Sequence, residues 1–148
     1  MIKKYIFNLK QLESFAKQLA KEVKISDLIL LSGDLGSGKT TFARFLIKYI
    51  TLKYGEQEPV YIPSPTFPIL QNYPLVNFEI LHYDLYRIND TKEIIELSID
   101  ENLKNNISII EWPEILLEYV SKYSFISIDF SILDDDRRKI IFKRNRNE

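Results

Sequence analysis

Leu28-Ile29-Leu30-Leu31-Ser32-Gly33-Asp34-Leu35-Gly36-Ser37-Gly38-Lys39-Thr40-Thr41 is the stretch around which the rest of the chain is organised. Its apolar start reads as a buried strand, its centre as a glycine-rich turn, and Lys39-Thr40 as the opening of a helix. Gly33 through Thr40 fits G-x-x-x-x-G-K-[ST], a phosphate-cradling loop. Glycines let the backbone curl so that consecutive N–H groups converge on a phosphate, and the helix N-terminus adds partial positive charge. Lys39 is suited to the β/γ-phosphates and the Thr40 hydroxyl to a Mg²⁺ ion.

The bland alternative is a chance glycine turn ahead of an ordinary helix. At average glycine usage that pattern arises by accident in roughly one chain of this size in a few hundred. Here it sits between an apolar strand and a helical pattern, as its chemistry requires, and it takes three of the chain's four glycines. We therefore read nucleotide binding, with Gly33, Leu35, Gly36, Ser37, Gly38, Lys39, Thr40 and Thr41 forming the cradle.

The 148 residues predict a single domain, residues 1–148, with a real core. A net charge of −1 gives no global case for attraction to nucleic acid or membrane. With no cysteine there is no thiol nucleophile and no thiolate zinc site, which fits a reducing cytoplasm. No run reaches the roughly 18 apolar residues of a spanning helix, and no apolar h-region follows Met1.

Outward from the loop, Tyr5-Ile6-Phe7 reads as a short strand and Asn8 as an N-cap with Gln11 in the capping-box position. Leu9, Leu12, Phe15, Ala16, Leu19 and Val23 predict an amphipathic helix over 9–23. The loop helix is expected to run from Lys39 to about Tyr49. Gly55 to Pro59 reads as a polar turn, and Ile62-Pro63-Ser64-Pro65-Thr66-Phe67-Pro68 as a stiff, extended segment because proline fixes φ and restricts its neighbours. That segment is either a rigid connector or a pre-set loop presenting the Ser64 or Thr66 hydroxyl to a phosphate or metal.

Residues 69–73 and 78–84 predict an antiparallel hairpin, Asp90 with Glu93 a short capped helix, and Asp100 another brief helical turn. Ile107 to Ile110 reads as a buried strand and Pro113 as the first residue of a helix. Phe125 to Ile132 alternates with Ile126, Ile128, Phe130 and Ile132 on one face, and Asp134-Asp135-Asp136 turns into a closing strand, Lys139 to Phe142. Residues 143–148 are polar and expected to fray. Strands alternating with helices predict an α/β fold, a three-layer α/β/α sandwich around a mixed sheet.

A phosphate loop that hydrolyses ATP needs a carboxylate at the end of a neighbouring strand, to hold Mg²⁺ or to orient water. Asp84 and Glu111 both end apolar strands. A structural salt bridge is the alternative for either; two acids so placed in one chain favour chemistry. His82, the one histidine, shares a strand face with Asp84 and reads as structural or partner-contacting, Trp112 as packing, and Arg87 as an ion-pair residue. No D-x-x-G switch or N-K-x-D motif is present, which excludes GTPases, and Arg137-Arg138 in a terminal hairpin is poorly placed as a kinase lid. A small kinase and a nucleotide-ordered binding module remain as rivals to an ATPase.

Taken together, Gly33 to Phe42, Ser64-Pro65-Thr66-Phe67, His82-Tyr83-Asp84-Leu85-Tyr86-Arg87 and Glu111-Trp112-Pro113-Glu114 resemble the TsaE (YjeE) family. Order and spacing match over nearly the whole chain. The resemblance implies a cytoplasmic, P-loop NTPase-type ATPase of tRNA threonylcarbamoyladenosine biosynthesis, weak alone and acting with TsaB and TsaD on adenosine 37 of ANN-decoding tRNAs. By the same resemblance ATP and Mg²⁺ are the cofactors, Thr40 and Glu111 hold the metal, Asp84 with Lys39 and Thr66 serves hydrolysis, and adenine sits near Leu9 to Gln11. Contact with tRNA would be indirect, through the complex. The chain departs from the family at Pro63, at Phe45 and near Ser98, where lysine, glycine and glycine are usual.

Overall fold

The computed structural model describes residues 1–55, 69–90, 92–93 and 98–146. Along the chain run β1 (Ile2–Asn8), α1 (Leu9–Glu22), β2 (Leu28–Gly33), α2 (Lys39–Lys53), β3 (Leu70–Pro74) and β4 (Glu79–Asp84). Then follow α3 (Ile99–Asn105), β5 (Ile107–Glu111), a 3-10 turn (Pro113–Leu116), α4 (Leu117–Val120), β6 (Phe125–Ile132) and β7 (Arg137–Asn145). The strands form one mixed sheet in the order β1-β7-β6-β2-β5-β4-β3. Its centre is parallel, with β2 between β5 and β6 and β4 beside β5. The flanks are antiparallel, β1 on β7 on β6 at one side and β3 on β4 at the other.

Side chains of β2 alternate between two cores. Ile29 and Leu31 pack with Phe42, Leu46 and Ile50 of α2 and with Leu12 and Ala16 of α1. Leu28 and Leu30 pack on the other face with Leu103 of α3 and with Leu116 and Val120. Burial on both faces explains why the strand reads as an unbroken apolar run rather than an alternating one. The expected three-layer α/β/α arrangement is therefore the observed one.

Local signals do much of the placing. Asn8 Oδ1 accepts from Gln11 N at 2.9 Å and Gln11 Oε1 accepts from Asn8 N at 2.9 Å, a complete capping box that starts α1 where the sequence predicts. The apolar stripe of α1 then joins an aromatic cluster in which the Phe15 ring lies within 5.3 to 5.8 Å of Tyr5, Phe7, Phe42 and Phe142. At Asp90 the side chain accepts from Lys92 N at 3.0 Å, an N-cap contact. Pro113 opens the 3-10 turn at its first position.

Two boundaries and one residue's burial differ from the sequence reading. Helix α2 continues past Tyr49 to Lys53, because Ile50 and Thr51 are buried and Lys53 Nζ donates to Val23 O at 2.6 Å and Lys21 O at 3.0 Å. Residues 143–145 do not fray: Lys143 pairs with Ile2 on one side and Ser127 on the other, and Arg144 pairs with Glu22. A polar strand is held here because neighbours on both sides satisfy its backbone. Ile132 does not share the buried face of Ile128 and Phe130; it is 54 % exposed, since the hairpin from Ser131 to Arg137 runs beyond the cover of the helices.

Ser98 adopts a left-handed conformation (φ 51°) just ahead of α3. Glycine takes that conformation at little cost, which gives a physical reason for glycine at this point in the family the sequence resembles. Segment 62–68, expected from the sequence to be stiff, most of the expected Gly55 to Pro59 turn and residues 94–97 lie outside the described residues. No helix among the described residues is long and apolar enough to cross a membrane.

Candidate functional site

The parallel strands β2, β5 and β4 end side by side, and their ends carry the site. In register, Leu31 of β2 lies beside Glu111 of β5, and Glu111 lies beside Asp84 of β4. The sheet therefore sets the loop after β2, Glu111 and Asp84 in a row, on the face covered by α2. This is the position where open α/β sheets bind ligands, outside the carboxyl ends of the strands.

The loop itself is built tightly. Gly33 has φ 142°, and a Cβ there would meet Phe130 O at 2.5 Å and Ser37 Oγ at 2.7 Å, so β6 presses directly on the turn. Gly38 (φ 111°) is the N-cap of α2, and no side chain caps the helix. The first-turn N–H groups of a helix have no intrahelical acceptor, so here they remain available to an anion.

Lys39 folds back over the loop, donating from Nζ to Gly33 O at 2.5 Å and Asp34 O at 2.9 Å, with its charge 4.2 Å from the Trp112 ring centroid. Burial holds its pKa below the ordinary lysine value, opposed chiefly by the nearby Glu111 and Asp84 carboxylates. Thr40 Oγ1 donates to Glu111 Oε1 at 2.6 Å. Asp84 is buried, and its Oδ1 accepts from Tyr86 N at 2.9 Å. Trp112, in a left-handed conformation (φ 57°), stands 4.8 Å from the Tyr86 ring and beside Lys39.

Above the loop opens a cavity of about 420 Å³, lined by Leu35 to Thr41, by Phe7, Asn8, Leu9 and Leu12 at the β1–α1 junction, and by Glu111, Trp112, Asp135, Asp136 and Arg138. That is within the usual range of small-molecule sites. The capping box that starts α1 thus also forms one wall.

Of the residues singled out in the sequence, the structure gathers Leu35 to Thr41 and Glu111 around this cavity, with Asp84 in the adjoining strand. Gly33 lies beneath the loop. Thr66, with Ser64 and Pro65, falls outside the described residues. Arg87 is exposed.

Arg138 is the residue that sequence reasoning missed. Its Nε donates to Ser37 O at 3.2 Å and its terminal nitrogen to Gly36 O at 3.3 Å, clasping the loop from a strand about a hundred positions away. No local pattern signals this. The terminal hairpin reads as remote in sequence because only the antiparallel closure of β7 on β6 brings it beside the loop.

The donor set around Thr40 and Glu111 is a hydroxyl and a carboxylate, oxygen ligands suited to Mg²⁺. Among the described residues no cluster of three His, Cys, Asp or Glu side chains stands ready for a metal.

A family model for TsaE, threonylcarbamoyl adenosine biosynthesis protein, matches residues 6–140. Curated proteins named tRNA threonylcarbamoyladenosine biosynthesis protein TsaE are similar: that of Rickettsia typhi is 42 % identical over 91 % of this chain and 90 % of its own length. That of Borreliella burgdorferi is 35 % identical over 86 % of this chain and 90 % of its own. A crystal structure of Bacillus subtilis YdiB superposes with a TM-score of 0.69 at 25 % identity, over 96 % of this chain and 86 % of the other.

Proposed function

The chain belongs to the TsaE family of threonylcarbamoyl adenosine biosynthesis proteins, and from that premise we propose that it is a Mg²⁺-dependent ATPase, weak alone, which drives threonylcarbamoylation of adenosine 37 in ANN-decoding tRNAs as the cytoplasmic partner of TsaB and TsaD. The observation that carries the ATPase reading is the uncapped N-terminus of α2 opening beside the 2.6 Å Thr40–Glu111 pair at the cavity floor.

Each residue then has a physical task. The N–H groups of residues 35 to 41 and the Lys39 ammonium take the phosphates, and Lys39 exchanges the carbonyls of Gly33 and Asp34 for phosphate oxygens. Thr40 and Glu111 hold the metal, which when bound neutralises charge developing on the phosphates. Asp84, next in the row of strand ends, orients water. The Thr66 hydroxyl serves near the terminal phosphate. Phe7, Leu9 and Leu12 provide an apolar wall suited to a base, and Arg138 steadies the loop that carries the N–H groups.

Lys39→Ala is expected to abolish ATP binding in equilibrium dialysis, whereas Asp84→Ala binds ATP but does not turn it over with TsaB and TsaD present. An Asp84→Ala protein that hydrolyses ATP at the parent rate under those conditions overturns the role given to Asp84. A parent protein that binds no Mg-ATP overturns the whole reading.

A further inference from the structure

Glu111 is only 1 % exposed, and a carboxylate at that depth is costly unless its oxygens are engaged. They are engaged by different groups. Oε1 accepts from Thr40 at 2.6 Å, while Oε2 lies 2.6 Å from His82 Nε2. His82 is fully buried on β4, in register with Ile109, two residues before Glu111 on β5. Its other nitrogen, Nδ1, is buried as well and has no partner among the described residues. The sheet pairing thus sends the imidazole along the inner face of β5 to the back of the carboxylate.

An ionised carboxylate oxygen can only accept, so the hydrogen in this contact belongs to Nε2, whatever the state of Nδ1. The imidazole cannot turn to offer Nδ1 without abandoning Glu111. It is wedged in the sheet core, and its hydrogen bond fixes which oxygen of Glu111 faces inward and which faces Thr40.

We propose that His82 is a positioning residue for the metal-holding carboxylate: it ties down Glu111 Oε2 from within the core, so that Oε1 is presented at the Thr40 hydroxyl and to the divalent cation. This rests on the assignment of Thr40 and Glu111 to the metal made above. His82 itself touches neither nucleotide nor metal. A ligand whose rear oxygen is anchored loses little freedom on binding, and removing such an outer partner typically weakens metal binding about 10- to 100-fold.

The test uses the full chain with a non-hydrolysable ATP analogue and Mn²⁺, free and bound ion being read by electron paramagnetic resonance. His82→Phe, which keeps a flat ring but no donor, is expected to weaken Mn²⁺ binding at least about 10-fold. Its affinity for the analogue measured in a chelator stays within about 3-fold of the parent, since the metal no longer contributes. His82→Gln, whose amide N–H₂ reaches the Nε2 position, recovers most of the loss. Should the phenylalanine variant fail to fold, His82→Asn, whose shorter amide stops short of Glu111, replaces it as the arm that leaves Glu111 without this donor.

Mn²⁺ binding unchanged in the variant without a donor to Glu111, or equally weakened in the glutamine variant, overturns the positioning role. Glu111→Gln run in parallel separates the two levels. If that substitution weakens Mn²⁺ binding and the His82 variants do not, only the positioning role falls. If it does not, the metal assignment falls and this proposal with it.

Discussion

Glu111 and Asp100 are both carboxylates held between two hydrogen-bond donors, on opposite faces of one sheet. Glu111 takes a threonine hydroxyl and an imidazole at the buried end of β5. Asp100, on α3, takes the phenols of Tyr119 and Tyr123, with Lys122 3.7 Å away, and its side chain is 44 % exposed. The two tyrosines hold the Asp100 carboxyl below the usual carboxylate range, and Asp100 in return pushes Tyr119 up to about 12.

Both carboxylates are held by side-chain donors, but the consequences differ because solvent does. Asp100 keeps much of its hydration, so its bonds cost little and tie α3 to α4 and the turn that follows it. Glu111 has given up its hydration for a hydroxyl and an imidazole, a poor exchange if stability were the purpose, since a buried charge is offset only by excellent pairing. Its burial beside the cavity is accounted for by the proposed role of metal ligand. Burial and the neighbouring cavity, rather than the number of hydrogen bonds, separate a site from a brace.

The sharpest way to break this contrast is to neutralise each carboxylate in turn. Glu111→Gln is expected to cost at least about 100-fold in ATP turnover, the upper end of what even the outer partners of a metal ligand cost. Asp100→Asn leaves turnover within about 2-fold and lowers stability by less than about 1 kcal/mol, the usual scale for exposed pairs. Equal losses in the two variants would erase the distinction.

A second test moves to the backbone at each end. Gly33 sits under Phe130 with φ 142°, so Gly33→Ala is expected to lose about 3 kcal/mol or more, because strain and overlap add there. Ser98 stands at φ 51° ahead of α3. Ser98→Gly removes a left-handed strain of roughly 1 kcal/mol, partly cancelled by the looser unfolded chain. Thermal melts of the two variants should shift in opposite directions, the first by far the more.

The smallest effect concerns pH. Tyr119 has a folded pKa raised from 10.0 to about 12, so its contribution is complete below pH 10 and is lost as pH rises from there towards 12. Asp100 has a lowered folded pKa, so its contribution is complete above the ordinary value of 3.8 and fades as pH falls below it. Absorbance of ionised tyrosine at alkaline pH, compared between the parent and Tyr119→Phe, should show one phenol titrating late. Its titration near the ordinary value would dissolve the brace.

Much of the architecture was legible because it is written locally. The Asn8–Gln11 capping box, the apolar periodicity of α1, the alternation of Phe125 to Phe130 and the glycine loop each depend on residues a few positions apart. The backbone geometry that reads them is short-ranged too. Asp84 and Glu111 were recognisable as acids ending apolar strands, but their spacing left metal holding, water orientation and ion pairing open; the pairing of Glu111 with Thr40 came from family resemblance. Residues 143–145 misled because polarity signals fraying only when no neighbouring strand claims the backbone.

By itself, then, the sequence determined the glycine-rich turn between strand and helix, the identity and ends of most elements, and the α/β class, since propensity, capping and periodicity act within a few residues. Only the tertiary structure decided that Arg138 clasps Gly36 and Ser37, that His82 backs Glu111, and that Leu9 and Asp136 face one cavity. Those contacts follow from which strand lies beside which. Strand order is chosen by burial of the whole sheet between two helical layers, an energy shared by residues far apart in the chain and carried by no single stretch of it.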